Sequence, residues 1–225
     1  MYALCIFDLD GTLLDTIDGL LDSINYTMEK QGRPLLQRSE LKRLMGTPIQ
    51  DIFRIVYHLE GQENADAVEI FRNHNRDNPG CVSVYPGMKK LLSDLQKSGC
   101  IIALSTMKPK ETAERMLASA GLIQYFDLVM GKGDDAAVSK ASMVERALSC
   151  FHLSSSEAVF VGDSEHDRLG AELTGIDFVG VTYGYGFCKD FDVTNGYHTA
   201  SAQNASDVRN VLFGKTGKQT PKTNY

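Results

Sequence analysis

The sequence has no long apolar run, no surplus of basic charge and no paired cysteines, and each lack excludes something. Its purely apolar stretches reach only a few residues, far short of the ~20 that a membrane-spanning helix needs. Lys and Arg number 23 against 29 Asp and Glu, a formal net charge of −6. Neither nucleic acid nor an anionic membrane is therefore expected as a partner, because phosphate surfaces select basic patches. The five cysteines stand singly at Cys5, Cys81, Cys100, Cys150 and Cys188. Such an unpaired set fits a reducing compartment, with Cys5 and Cys100 packing as small apolar residues. The opening "MYAL" leads straight into a strand-like run without a basic segment or cleavage site, so a cytoplasmic location is expected.

What is there is enough for a sizeable core: 225 residues, 43% of them hydrophobic, which suits one large domain or a domain with an inserted lobe. Short apolar runs at 3–7, 100–104, 126–130, 158–161 and 178–181 read as buried parallel strands. Helical stripes lie between most of them: Met88, Leu91, Leu92 and Leu95; Ala113, Met116, Leu117 and Ala120; Val144, Leu148 and Phe151. Strands alternating with such helices predict an α/β fold, a doubly wound, Rossmann-like parallel sheet. Residues 15 to about 80 break the alternation. Ile17, Leu20, Leu21, Ile24 and Met28 form one helical stripe and Ile49, Ile52, Phe53 and Val56 another, with no strand run between. The expected organisation is an α/β core of residues 1–15 and 83–214, an all-helical cap of 16–82, and a disordered polar tail of 215–225. Gly19 and the "NPG" turn at 78–80 supply permissive backbone near the two crossings into the cap, as hinges do.

In an open α/β sheet, ligands bind beyond the carboxyl ends of the strands. The first run is followed by Asp8 and Asp10, the second by Ser105 and Thr106, and the fourth by Gly162-Asp163-Ser164-Glu165-His166-Asp167, while Lys140 opens the helix before the fourth. Asp8 and Asp10 repel each other unless positive charge lies between them. Carboxylates, a hydroxyl and a lysine at one rim make a metal-plus-anion site, and hard oxygen donors beside a phosphate favour Mg²⁺.

The stretches "DLDGTLLDT", "LSTMKP", "SKASMVERAL" and "VGDSEHDRLGAELTGI" resemble, in order, the four motifs of the haloacid dehalogenase superfamily. The last of them, read on through "DFVGVTYGYG", is most similar to the phosphoglycolate-phosphatase-like branch, whose cap is helical. The resemblance implies a phosphoric monoester hydrolase. In it Asp8 is the nucleophile that becomes an aspartyl phosphate, and Asp10 protonates the leaving alkoxide and then deprotonates water. Thr106 holds phosphoryl oxygens and Lys140 neutralises charge between nucleophile and phosphate. Mg²⁺ is held by Asp8, the Asp10 carbonyl and Asp163, with Asp167 bracing or completing the set. Gly11, Thr12, Ser105 and Lys108 fall on positions expected to face the phosphate, Ser105 replacing Thr106 if the strand ends one residue earlier. Met107 stands where the family often has asparagine and cannot donate a hydrogen bond.

The partner is then a small phosphorylated metabolite, and the protein a monomer or homodimer. Phosphoglycolate is the first expectation; pyrophosphate and nucleoside monophosphates are alternatives, as is a sugar phosphomutase of the same fold, which Thr12 disfavours because the mutases usually carry valine there. A haloacid dehalogenase proper lacks the second aspartate, and a non-catalytic phospho-ligand binder has no need of both Asp8 and Asp10. Arg33, Lys42 and Arg43 of the cap are candidates to meet a substrate carboxylate. His58 and His74 are expected at the cap surface.

Overall fold

Each of the five apolar runs becomes a strand of one parallel sheet. The computed structural model describes residues 1–77, 82–133, 138–187 and 199–214; the tail at 215–225, the turn at 78–80, Cys81 and Cys188 lie outside them. In chain order the elements are β1 (Leu4–Phe7), β2 (Leu14–Asp15), α1 (Ile17–Lys30), α2 (Arg38–Lys42), α3 (Ile49–Tyr57), α4 (Gly61–Asp77), β3 (Ser83–Val84), α5 (Met88–Lys97), β4 (Ile101–Pro109), α6 (Lys110–Ser119), β5 (Leu128–Lys132), α7 (Lys140–Phe151), β6 (Ala158–Gly162), α8 (Glu165–Thr174), β7 (Asp177–Val181), β8 (Thr199–Ala202) and α9 (Ala205–Gly214). The sheet order is β5-β4-β1-β6-β7-β8, with every pairing parallel.

Alternate side chains of β1 serve opposite faces, as the pleat requires. Cys5 and Phe7 join a core with Met88, Leu91, Leu92 and Leu95 of α5 and Ala113, Met116 and Leu117 of α6. Leu4 and Ile6 join a second core with Met143, Val144 and Ala147 of α7 and Ala171 of α8. Helices thus cover both faces, the doubly wound arrangement that the alternation predicts. Cys5 and Cys100 are buried, with their sulfurs 3.4 Å apart.

The chain leaves β1, crosses to β4 and β5 on one side, and returns to β6 on the other. The crevice of a doubly wound sheet opens at this reversal, beside the carboxyl end of β1. Asp8 stands there, its N–H bonded to the Val161 carbonyl of β6 at 2.9 Å.

Helices α1 to α4 enclose a separate cluster that includes Ile17, Ile24, Met28, Ile52, Phe53 and Phe71. Two features were not anticipated. Strand β8, "TASA", carries no apolar run to betray it, and a two-residue antiparallel ladder of β2 on β3 joins the two crossings between core and helical insert. Arg33 is spent within the insert, donating to Glu63 and to the Tyr57 carbonyl. His58 is exposed, but His74 departs from expectation: it is largely covered and stacks on Tyr26 with ring centroids 4.0 Å apart. No described helix is long and apolar enough to cross a membrane.

Candidate active site

Four ionisable groups from β1, α7 and the β6–α8 segment meet at the sheet's reversal. The first turn of α7 places Lys140: Ser139 caps that helix, its hydroxyl accepting from Ser142 N–H. The buried Lys140 ammonium touches Asp8 Oδ1 at 2.6 Å, Asp167 Oδ1 at 2.8 Å and the Ser105 carbonyl at 2.6 Å. Gly170 of α8 permits this approach, since a methyl group there would lie 2.6 Å from Lys140 Cβ. Asp167 sits in the first turn of α8, where its Oδ2 accepts from the hydroxyl of the N-cap Ser164 at 2.6 Å. Asp163 closes the group: its Oδ2 accepts N–H bonds from Tyr185 at 2.6 Å and Gly186 at 3.3 Å.

Asp8, Asp163 and Asp167 each offer an oxygen, all within 4.8 Å of one another and all buried. Among the described residues Lys140 alone brings an ammonium to them, and it reaches two of the three. The charge balance is visible in the acidities. Burial first, then the charges of Asp167 and Asp10, pushes Asp163 up to about 6 against the pull of its Tyr185 N–H bond. Burial raises Asp8 well above the carboxylate range, with Lys140 opposing and Asp167 and Asp163 adding. Burial acts to lower Lys140, yet Asp167 and Asp8 hold its ammonium above the usual lysine range. Buried carboxylates short of positive charge, all hard oxygen donors, fit a divalent cation such as Mg²⁺.

Asp10 stands beside this cluster, with its carboxylate outside the three-oxygen group. Its Oδ1 accepts from the Thr16 hydroxyl at 2.5 Å and lies 3.2 Å from Lys108 Nζ. Thr12 is fully buried and its hydroxyl has no partner among the described residues, while its carbonyl accepts from Tyr183.

Ser105 corrects the sequence reading. Strand β4 does not stop at residue 104 but runs to Pro109 with a register shift after Ser105. The Ser105 hydroxyl therefore turns into the core, donating to Met143 Sδ at 3.1 Å, and its contribution to the site is the carbonyl on Lys140. Thr106 is buried with its hydroxyl accepting from Lys108 N–H at 3.2 Å, and Met107 is exposed.

Sequence reasoning did not assign Thr16 or Ser164 a role, and Gly184-Tyr185-Gly186 forms a turn after β7. The structure puts that turn against Asp163. A methyl group on Gly184 would fall 2.4 Å from Asp163 Oδ2, and one on Gly11, whose φ is +77°, would fall 2.1 Å from it. Gly184→Ala should therefore displace Asp163 and cost about 1–3 kcal/mol as overpacking. Chemical denaturation checks this, and an unshifted midpoint would show that the contact yields freely.

Comparison with known proteins agrees with this geometry. The haloacid dehalogenase-like hydrolase family matches residues 5–181. The chain is 32% identical over 189 residues to a phosphoglycolate phosphatase of Yersinia pseudotuberculosis, covering 80% of this chain and 81% of that one. It is 31% identical over 211 residues to the tyrosine-protein kinase PtkA of Mycobacterium tuberculosis, covering 93% and 72% respectively. Among solved structures, a haloacid dehalogenase-like hydrolase of Streptococcus pneumoniae superposes with a TM-score of 0.83 at 26% identity, over 94% of this chain and 98% of that one. A family match over most of the chain and a shared fold lead to one conclusion: this chain belongs to the haloacid dehalogenase-like hydrolase family.

Proposed function

We propose that the protein is a Mg²⁺-dependent phosphatase that hydrolyses a small phosphomonoester through an aspartyl phosphate on Asp8. The observation that carries this reading is the Lys140 ammonium lodged between Asp8 and Asp167, with Asp163 completing a carboxylate cluster and Asp10 alongside. Asp8 attacks phosphorus, and the ester bond breaks as Asp10 gives its proton to the departing alkoxide. Asp10 then takes a proton from the water that attacks the acyl phosphate, which frees Asp8 and releases inorganic phosphate. Lys140 keeps Asp8 oriented and offsets negative charge between nucleophile and phosphoryl group. Asp8, Asp163 and Asp167, with the Asp10 carbonyl, would hold the Mg²⁺, which supplies further charge neutralisation when bound.

Phosphoglycolate is the first-choice substrate, supported by similarity to phosphoglycolate phosphatases. Pyrophosphate is an alternative, since a pyrophosphatase of Halalkalibacterium halodurans is 29% identical over 192 residues. Similarity to a tyrosine-protein kinase favours a second reading, in which a tyrosine hydroxyl replaces water as acceptor. A turnover screen over phosphomonoesters and pyrophosphate with Mg²⁺ tests the proposal, and labelled ATP with a tyrosine-containing protein acceptor tests the second reading. Chelation should silence hydrolysis and Mg²⁺ restore it, while Ca²⁺, with its longer and looser coordination, should support it poorly. Full turnover after exhaustive chelation would remove the metal from the proposal.

A further inference from the structure

The start of α1 is capped in an unusual way. Two other described helices are capped by a serine on extended backbone: Ser139 has ψ 166° and Ser164 ψ 158°, and each hydroxyl accepts a backbone N–H of the first turn. Thr16 occupies the same position before α1 with ψ 1° and makes no such bond, although threonine is a favoured N-cap residue. Its hydroxyl donates to Asp10 Oδ1 instead. The N–H groups of the buried Thr16 and Ile17 are met from far along the chain, with Asp15 Oδ1 a local second acceptor for Ile17 at 3.3 Å. The Tyr185 hydroxyl accepts from Thr16 N–H at 2.7 Å and Ile17 N–H at 3.2 Å, and donates to Asp15 Oδ1 at 2.6 Å. The backbone N–H of the same residue bonds Asp163.

We infer that Tyr185 is a positioning residue for Asp10, acting through Thr16. By accepting from Thr16 N–H and Ile17 N–H, its hydroxyl holds Thr16 in the non-extended backbone that aims the threonine hydroxyl at the Asp10 carboxylate. Without that anchor Thr16 is free to turn extended and cap the second or third N–H of its own helix, and Asp10 loses that hydrogen bond. Tyr185 also packs against the cluster of the helical insert, so one side chain ties the insert's first helix to both Asp10 and Asp163.

The inference rests on the proposed role of Asp10 as the acid that protonates the leaving group, and the test separates the two. Phenyl phosphate and p-nitrophenyl phosphate have nearly the same shape, but nitrophenolate departs readily without a proton and phenolate does not. General acid catalysis contributes about 10²–10⁴ where a proton is needed. In kcat/KM, which reports the steps up to the phosphoenzyme and not the water attack common to both esters, misplacing the acid should therefore forfeit part of that factor for phenyl phosphate alone. Tyr185→Phe should lower kcat/KM for phenyl phosphate about tenfold more than kcat/KM for p-nitrophenyl phosphate. Thr16→Val should show the same selective loss, Thr16→Ser should restore the wild-type ratio, and Tyr185→Phe added to Thr16→Val should lower the ratio no further.

Should Tyr185→Phe not fold, Asp15→Asn, which loosens the far side of the same hydroxyl, takes its place in the cycle. Parallel losses of kcat/KM on both esters, or independent losses in the double variant, overturn the positioning role and leave the phosphatase reading intact. Wild-type protein that hydrolyses neither these esters nor any phosphomonoester of the screen in Mg²⁺ overturns that reading and this inference with it.

Discussion

Asp8→Asn is expected to lower phosphatase turnover at least ~10³-fold, as removal of a covalent nucleophile does, and to abolish any trapped acyl phosphate. Asparagine matches the shape of aspartate but cannot attack phosphorus. The fold should survive the change. Lys140 keeps Asp167 and the Ser105 carbonyl as partners, and the site loses a buried carboxylate that burial and its neighbours already disfavour in charged form. Without Mg²⁺ the variant should therefore melt no lower than the wild type, which separates lost chemistry from lost structure. Quench-flow capture of the phosphoenzyme alongside a thermal melt is the measurement. Near-normal turnover in the folded variant would sink the assignment of Asp8.

Lys140→Met should be damaging in two ways at once. Removing one partner from a buried ion pair strands the other, at a cost of about 3–5 kcal/mol; here two carboxylates, Asp8 and Asp167, lose their shared cation. For a chain of this length that corresponds to a fall of about 10 °C in the thermal midpoint. Turnover should drop about 10²–10³-fold, the range seen when one charge-stabilising donor is removed from a reacting centre. Lys140→Arg should rescue poorly, because a planar guanidinium on a different stem does not reproduce a compact ammonium that meets Asp8, Asp167 and the Ser105 carbonyl at 2.6, 2.8 and 2.6 Å. Added Mg²⁺ should recover part of the stability and little of the activity. A variant as stable as the wild type in metal-free buffer would mean that Lys140 is not the counter-charge of this cluster.

Helices α1 and α3 were legible through their period. Ile24, Met28, Ile52 and Phe53, set out at helical spacing in the sequence, are buried together in one cluster. Beside it, β8 was not legible, because "TASA" is short, has small side chains and sits at the sheet edge, where packing asks for no apolar run. The β2–β3 ladder escaped for a related reason: two residues on each side, 70 positions apart at Leu14 and Val84, carry no periodicity of their own.

The site divides in the same way. Asp8, Asp163, Asp167 and Lys140 could be found from sequence because the chemistry belongs at strand ends and helix starts, and strands and helices announce themselves by local pattern. What local pattern cannot carry is the direction of a side chain once elements meet. The direction of the Ser105 hydroxyl followed a register shift in β4 and ends on Met143. Tyr185 and Thr16 stand 169 residues apart, and their hydrogen bond exists because the loop after β7 packs on the first turn of α1. The layers of the sheet and the carboxylates at its strand ends were readable in advance, since those follow from burial and alternation along short segments. Which hydroxyl bonds the start of α1 and which glycines crowd Asp163 emerged with folding, because a hydrogen bond or a steric contact between distant segments is set by angstrom-scale packing that no one-dimensional period records.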